Sequence, residues 1–203
     1  YFLPLLQQQL LPGLQQTLIL SVIALVVSAI IALVLFPLVS KLFSNTWQRR
    51  GGHGLLVVLR STPEYLLAYI ALIILGPSLL PAIIALAIHN GALIGHLVGR
   101  YSSYIKLRAD ASSGVNRYFY EVMPRSFNQF LAYLLYRWEV IVRESAVLGL
   151  LGIYTLGFYI DSAIEDLRFD LALILIIATG IINILIDQFS QHCRRYIRNT
   201  STS

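Results

Sequence analysis

A single cysteine, Cys193, excludes an internal disulfide framework. Charge is scarce as well, at 12% of 203 residues. No Gly-x-x-x-x-Gly-Lys-Ser/Thr phosphate loop occurs, and the Gly-Lys dipeptide is missing altogether, so a nucleotide driving any process here must be hydrolysed by another subunit. No Ser/His/Asp constellation stands out, which argues against a membrane enzyme. Alternation of the β-barrel kind and internal repeats are also missing. The opening YFLPLLQQQLLPG has neither the basic start nor the cleavage site of a signal peptide. The first residue is Tyr rather than Met, so the chain reads as a fragment, a processed product or one part of a longer polypeptide.

What is abundant is apolar surface. Hydrophobic residues make up 57% of the chain, and the mean hydropathy is +0.73, values of an all-α integral membrane protein. Five spans are expected, at about 17–39, 54–76, 81–98, 127–149 and 169–189, forming one membrane domain over residues 1–203. The first, Thr17–Val39, has 23 uncharged residues, enough to cross about 30 Å of hydrocarbon. Pro63 lacks an amide donor and should bend or break the second. Ile153–Arg168 reads as an acidic loop.

A net charge of +5 raises nucleic acid as a partner, but the basic residues flank apolar runs, the pattern of a membrane protein. Ser40–His53, Arg100–Arg125 and the tail hold eleven Lys or Arg residues. The opposite loops hold Arg168 beside Asp161, Glu165, Asp166 and Asp170. The excess of basic residues on one side places the N-terminus outside and the C-terminus in the cytoplasm.

The fourth span breaks the apolar rule. YRWEVIVRESAVLG carries Arg137, Glu139, Arg143 and Glu144. An arginine near mid-membrane costs roughly 2.5–3.5 kcal/mol on insertion scales, so such groups face protein or a watery path and are paired. Glu139 and Arg143, four apart, share a helical face and can pair directly. Arg137 and Glu144 lie on roughly the other side and are expected to need other partners. Two readings stand together: a structural ion-pair network, and a positively charged border for an anionic solute.

Other polar groups carry less. His89 and His96 share one face of the third span, but no carboxylate or thiol sits at ligand spacing, so a metal site is disfavoured. Arg60 and Glu64, four apart, are expected to pair. Asn90-Gly91 reads as a site of close helix packing or a kink.

Several segments carry a family resemblance. RADASSGVNRYFYEVMP (Arg108–Pro124) resembles, in length and in its closing Val122-Met123-Pro124, the EAA loop of ABC importer permeases. The usual glycine and glutamate positions hold Ala111 and Ile105 instead. RSTPEYLLAYIALIILGPSLLPAIIALAIHNGALIGHLVGR (Arg60–Arg100) and LLYRWEVIVRESAVLGLLG (Leu134–Gly152) look like the middle spans and fourth-helix motif of phosphonate ABC transporter permeases. IDQFSQHCRR (Ile186–Arg195) is similar to that family's C-terminal end.

The resemblance implies a type I ABC importer permease of about five transmembrane helices in a bacterial inner membrane. It implies a second permease unit (a homodimer or fused repeat), ABC ATPase subunits that hold ATP and Mg, and an extracytoplasmic solute-binding protein. No cofactor is expected in this chain. The substrate would be a phosphonate or related phosphorus oxyanion; the alternatives are another small solute, or a non-transporting scaffold or sensor. Arg137, Glu139, Arg143 and Glu144 become the expected solute pathway. Arg108, Ala109, Asp110, Ala111, Ser112, Ser113, Gly114 and Arg117 become the expected ATPase-coupling segment, with a short cytoplasmic helix. The chain departs from the family at GIYTLG (Gly152–Gly157), where a glycine-rich run is usual, and at His96, where Lys is frequent.

Overall fold

The computed structural model describes residues 2–111 and 113–200, and among these every regular element is helical. Seven α-helices follow in order: α1 (Phe2–Val39), α2 (Thr46–Ser61), α3 (Glu64–Leu75), α4 (Leu80–Ser102), α5 (Met123–Val147), α6 (Leu156–Glu165) and α7 (Phe169–Thr200). A π-helical turn, Arg117–Val122, leads into α5, and a 3₁₀ turn, Leu148–Leu151, leaves it. Four stretches are long and apolar enough to cross a membrane, or five if the bent pair α2–α3 counts as one.

Helix α4 is the centre of the bundle. Its buried residues include Ala85, Leu86, Asn90, Ile94, His96 and Val98. Against one end pack Leu20 and Ala24 of α1 with Ile141 and Leu148. Against the other pack Phe36, Val122, Phe130 and Leu134. The close approach of α4 to α1 depends on glycine: a Cβ on Gly91 would lie 2.7 Å from Ile31 Cβ, and one on Gly99 would lie 2.8 Å from the Phe36 carbonyl oxygen. Small residues let membrane helices approach and gain dispersion contacts where no hydrophobic effect separates protein from lipid.

The second expected span is bent, and sharply. Steric conflict with the proline ring pushes the preceding residue out of helical geometry; Thr62 sits at φ −71°, ψ 124°, and α2 and α3 meet at 82°. The twelve residues of α3 reach about 18 Å, short of the hydrocarbon thickness. Other boundaries moved outward. Gln and Leu propagate helix well, so α1 starts at Phe2 rather than near Thr17, and α7 runs to Thr200.

Two expectations are corrected. The acidic segment after the fourth span is not a loop, since Leu156–Glu165 forms α6. Gly152, at φ +82°, ends the 3₁₀ turn in left-handed geometry. The chain then re-enters helix with the Leu156 amide donating to Thr17 Oγ1 at 3.1 Å. Nor does a separate short helix span the expected coupling segment. Ala109 and Asp110 form a turn, Ala111, Ser113 and Gly114 lack helical geometry, and Ser112 lies outside the described residues. Helix begins only at Val115 and merges into α5.

The α1–α4 contact predicts that Gly91→Leu lowers stability by about 1–3 kcal/mol through overpacking. Gly54→Leu on α2, where an added Cβ meets nothing within 4 Å, should change it little. Thermal unfolding of the purified protein followed by size exclusion distinguishes the two.

Candidate functional site

Helix α5 has two polar faces with different surroundings. The inward face holds Arg137, 8% exposed. Its Nε donates to Asn90 Oδ1 at 2.6 Å, and its terminal nitrogen lies 3.5 Å from Glu144 Oε1. Asn90 Nδ2 donates to the Leu86 carbonyl at 2.8 Å and lies 3.4 Å from Glu144 Oε2. Asn90 thus accepts from the guanidinium and donates toward the carboxylate, closing a ring of three side chains between α4 and α5. Residues seven apart are separated by about 10.5 Å of axial rise, a gap closed by the long arginine chain with Asn90 beside it. The expectation that Arg137 and Glu144 need other partners is corrected: they pair with each other.

One residue before Asn90, His89 serves the bend. Its Nδ1 lies 3.2 Å from the Thr62 carbonyl oxygen, whose helical donor, the Leu66 amide, bonds to the Pro63 carbonyl instead. Its Nε2 lies 3.9 Å from Glu64 Oε2. Glu64 therefore faces His89, not Arg60 as the four-residue spacing implied, because the bend separates the two onto different helices. Neither this contact nor the role of Asn90 was read from the sequence. The available signal was an Asn among apolar residues of a membrane helix, which was assigned to packing.

The outward face of α5 holds the pair expected from spacing. Arg143 donates to Glu139 Oε1 at 2.6 Å. The Arg143 side chain is 57% exposed, whereas that of Glu139 is 14% exposed. Asn128, Tyr136, Val147 and Leu150 are exposed on the same side. Lower on this stripe, Arg194 of α7 lies over the Tyr136 ring at 5.5 Å. There α5 and α7 border a cleft of about 750 Å³ lined by Asn128, Gln129, Gln191, Arg194 and Arg195 among others. Ser190 Oγ donates to the Leu135 carbonyl at 2.7 Å and holds α7 alongside.

The loop before α5 is anchored at both ends. Glu121 accepts from the Arg108 amide at 3.1 Å and pairs with Arg125 at 2.9 Å. Arg117 donates to the Leu42 carbonyl at 3.1 Å, and Tyr118 donates to the Leu33 carbonyl at 2.9 Å while stacking on Phe36. Between these anchors Val115, Phe119 and Tyr120 are exposed at 70%, 59% and 81%. Those three were not singled out from the sequence, although the aromatic run was visible in it.

A bundle of apolar helices with paired charges on α5 and a polar stripe open on one side fits a membrane transport subunit. Residues 34–199 match the family described as binding-protein-dependent transport system inner membrane component, and the chain belongs to that family. It is 26% identical over 151 residues to the phosphite transport system permease protein PtxC of Stutzerimonas stutzeri, covering 71% of this chain and 54% of that protein. It is 31% identical over 133 residues to the phosphate-import permease protein PhnE of Mycolicibacterium smegmatis, covering 60% of this chain and 25% of that protein. The chain thus spans about half of the first relative and a quarter of the second. In fold it resembles an inward-facing structure of the MetNI methionine ABC transporter, with a TM-score of 0.79 at 18% identity over 95% of this chain and 97% of that one. The expected type I importer permease fold is therefore correct.

The ring of Arg137, Asn90 and Glu144 gives a specific expectation. Glu144→Ala leaves a buried guanidinium half-compensated and should cost about 3 kcal/mol. The double variant Arg137→Met with Glu144→Leu should recover most of that loss. Reversible unfolding in detergent, analysed as a double-mutant cycle, measures the coupling.

Proposed function

We propose that this chain is the membrane-spanning subunit of an ABC importer that carries a phosphorus oxyanion, with the outward stripe of α5 forming part of the path. The observation that supports this most is the Glu139–Arg143 pair, whose arginine is largely uncovered in the isolated chain. A charged side chain this far along a membrane helix is stable only against protein or water. A second permease unit facing this stripe meets that need and turns two stripes into one conduit. Arg143 supplies positive potential to the solute, and Glu139 orients it. Arg137 and Glu144 fix α5 on α4 from behind.

The names of the relatives support the solute class, since phosphite and phosphate are both tetrahedral phosphorus oxyanions. Solute arrives from an extracytoplasmic binding protein near Gly152–Arg168, with the N-terminus outside and the C-terminus in the cytoplasm. ATP and Mg reside in a separate ATPase pair. That pair docks at the loop before α5, on the coupling segment Arg108–Arg117 with its exposed Val115 and on Phe119 and Tyr120 just after it.

Two outcomes follow. Arg143→Gln should lower uptake of phosphite or methylphosphonate about tenfold or more, the worth of one charged hydrogen bond, with assembly intact. Full uptake in that variant would leave only a structural role for its pair with Glu139. Tyr120→Glu should leave the permease folded but abolish solute-stimulated ATP hydrolysis in the reconstituted complex. Unchanged stimulation would remove the docking assignment.

A further inference from the structure

A second basic site lies away from the α5 stripe, where the ends of α1, α2 and α4 meet. It is a pocket of about 340 Å³ lined by Val39, Lys41, Arg49, Arg50, His53, Arg100, Ser103 and Tyr104. No carboxylate lines it, and none of these cations takes part in the ion pairs of the described residues. Behind it, the buried His96 ring lies 5.0 Å from that of His53, and His96 Nδ1 has no hydrogen-bond partner among the described residues. The titratable groups facing His96 are Arg60, His53 and Arg100, again with no acid. So much positive charge without an acid beside it, gathered from α2, α4 and the turn after α1, calls for an anion.

The surroundings say which kind. Along α2, at 100° per residue, Arg49, Arg50 and His53 occupy one arc and the buried Gly52 and Leu56 a second. Trp47, Leu55 and Val58 occupy the third, at 82%, 48% and 61% exposure. This is the pattern of a helix lying at a membrane surface, apolar on one side and basic on another. Arg50 lies over the Trp47 ring at 5.7 Å and joins the charged arc to the apolar one. Tyr101 and Tyr104, 40% and 77% exposed, extend the aromatic rim, and Lys41 lies 6.0 Å from the Tyr104 ring centroid. Aromatic side chains of this kind concentrate at the level of lipid headgroups.

We propose that this pocket binds the phosphate of an anionic phospholipid, with its acyl chains beside Trp47, Leu55 and Val58. A basic pocket between membrane helices beside an exposed apolar strip suits a headgroup with attached chains better than free phosphate.

Native mass spectrometry of the purified permease with its ATPase, titrated with phosphatidylglycerol or phosphatidylcholine, tests this. The expected result is at least about tenfold preference for phosphatidylglycerol, falling about fivefold for each arginine removed in Arg49→Gln, Arg50→Gln and Arg100→Gln. Millimolar inorganic phosphate should not displace the lipid. Equal retention of both lipids overturns the proposal, as does displacement by phosphate alone, which marks a free-anion site. Loss of the ATPase from the triple variant with lipid retention unchanged assigns the pocket to an acidic protein surface instead. Should the triple variant fail to fold, Arg50→Gln decides. Quenching of tryptophan fluorescence by brominated phosphatidylglycerol should exceed that by brominated phosphatidylcholine in the parent protein, and the difference should shrink in the variant. No difference in the parent protein also overturns the proposal.

Discussion

A guanidinium placed inside a membrane bundle has to find its counter-charge and its hydrogen-bond acceptors within the protein, because lipid offers neither. Arg137 finds both, in Glu144 on its own helix and Asn90 on α4. That requirement fixes more than one pair. Asn90 follows His89, which closes the break between α2 and α3 at Thr62. It precedes Gly91, which packs tightly against Ile31 of α1. Three consecutive residues on one turn of α4 therefore set its contacts with α5, with the α2–α3 bend and with α1. A shift of α4 along its axis would break all three sets at once.

The charges on α5 divide according to what covers them. Arg137 and Glu144 are compensated within the chain and tie the bundle together. Glu139 and Arg143 are also paired, but on the side where α5 and α7 stand open. Tyr136 with Arg194, then Asn128 and Gln129 beside the cleft, continue the polar surface toward the N-terminal end of α5 and the C-terminal end of α7. Lipid is a poor neighbour for such a surface, so the isolated chain is incomplete along this face. In the proposed complex a second permease unit supplies the missing cover, and the proposed path follows from where that cover must lie.

The sequence showed much of this frame and little of its wiring. Long uncharged runs such as Thr17–Val39 announce spans because length and hydropathy are local properties. Pro63 announced the bend for the same reason, through its missing amide and its ring. The Glu139–Arg143 pair was legible because four-residue spacing on a continuous helix determines which side chains meet. The same rule failed for Arg60 and Glu64, where the bend intervenes. It also missed Arg137 with Glu144, whose contact depends on Asn90 from another helix. α6 was hidden because Leu156–Glu165 mixes apolar residues with Asp161 and Glu165. Its entry is held by a tertiary contact to Thr17 that no local pattern reveals.

The loop before α5 differs from an independent coupling helix in a way that bears on force transmission. Its helical part is continuous with α5 through the π turn Arg117–Val122. Within that turn Tyr118 is fixed to α1 through Leu33 and Phe36, and Glu121 holds both Arg108 and Arg125. A push on the exposed Val115, Phe119 and Tyr120 therefore passes into the axis of α5 through the π turn, with no break in the helix between. A π turn is less well bonded than α-helix and is a place where helical register adjusts. Such an adjustment would turn α5 as a whole, carrying the open Arg143 face and pulling on α4 through the Arg137 ring. In the proposed cycle one charged face of α5 thus couples it to α4, and the other moves with it along the solute path.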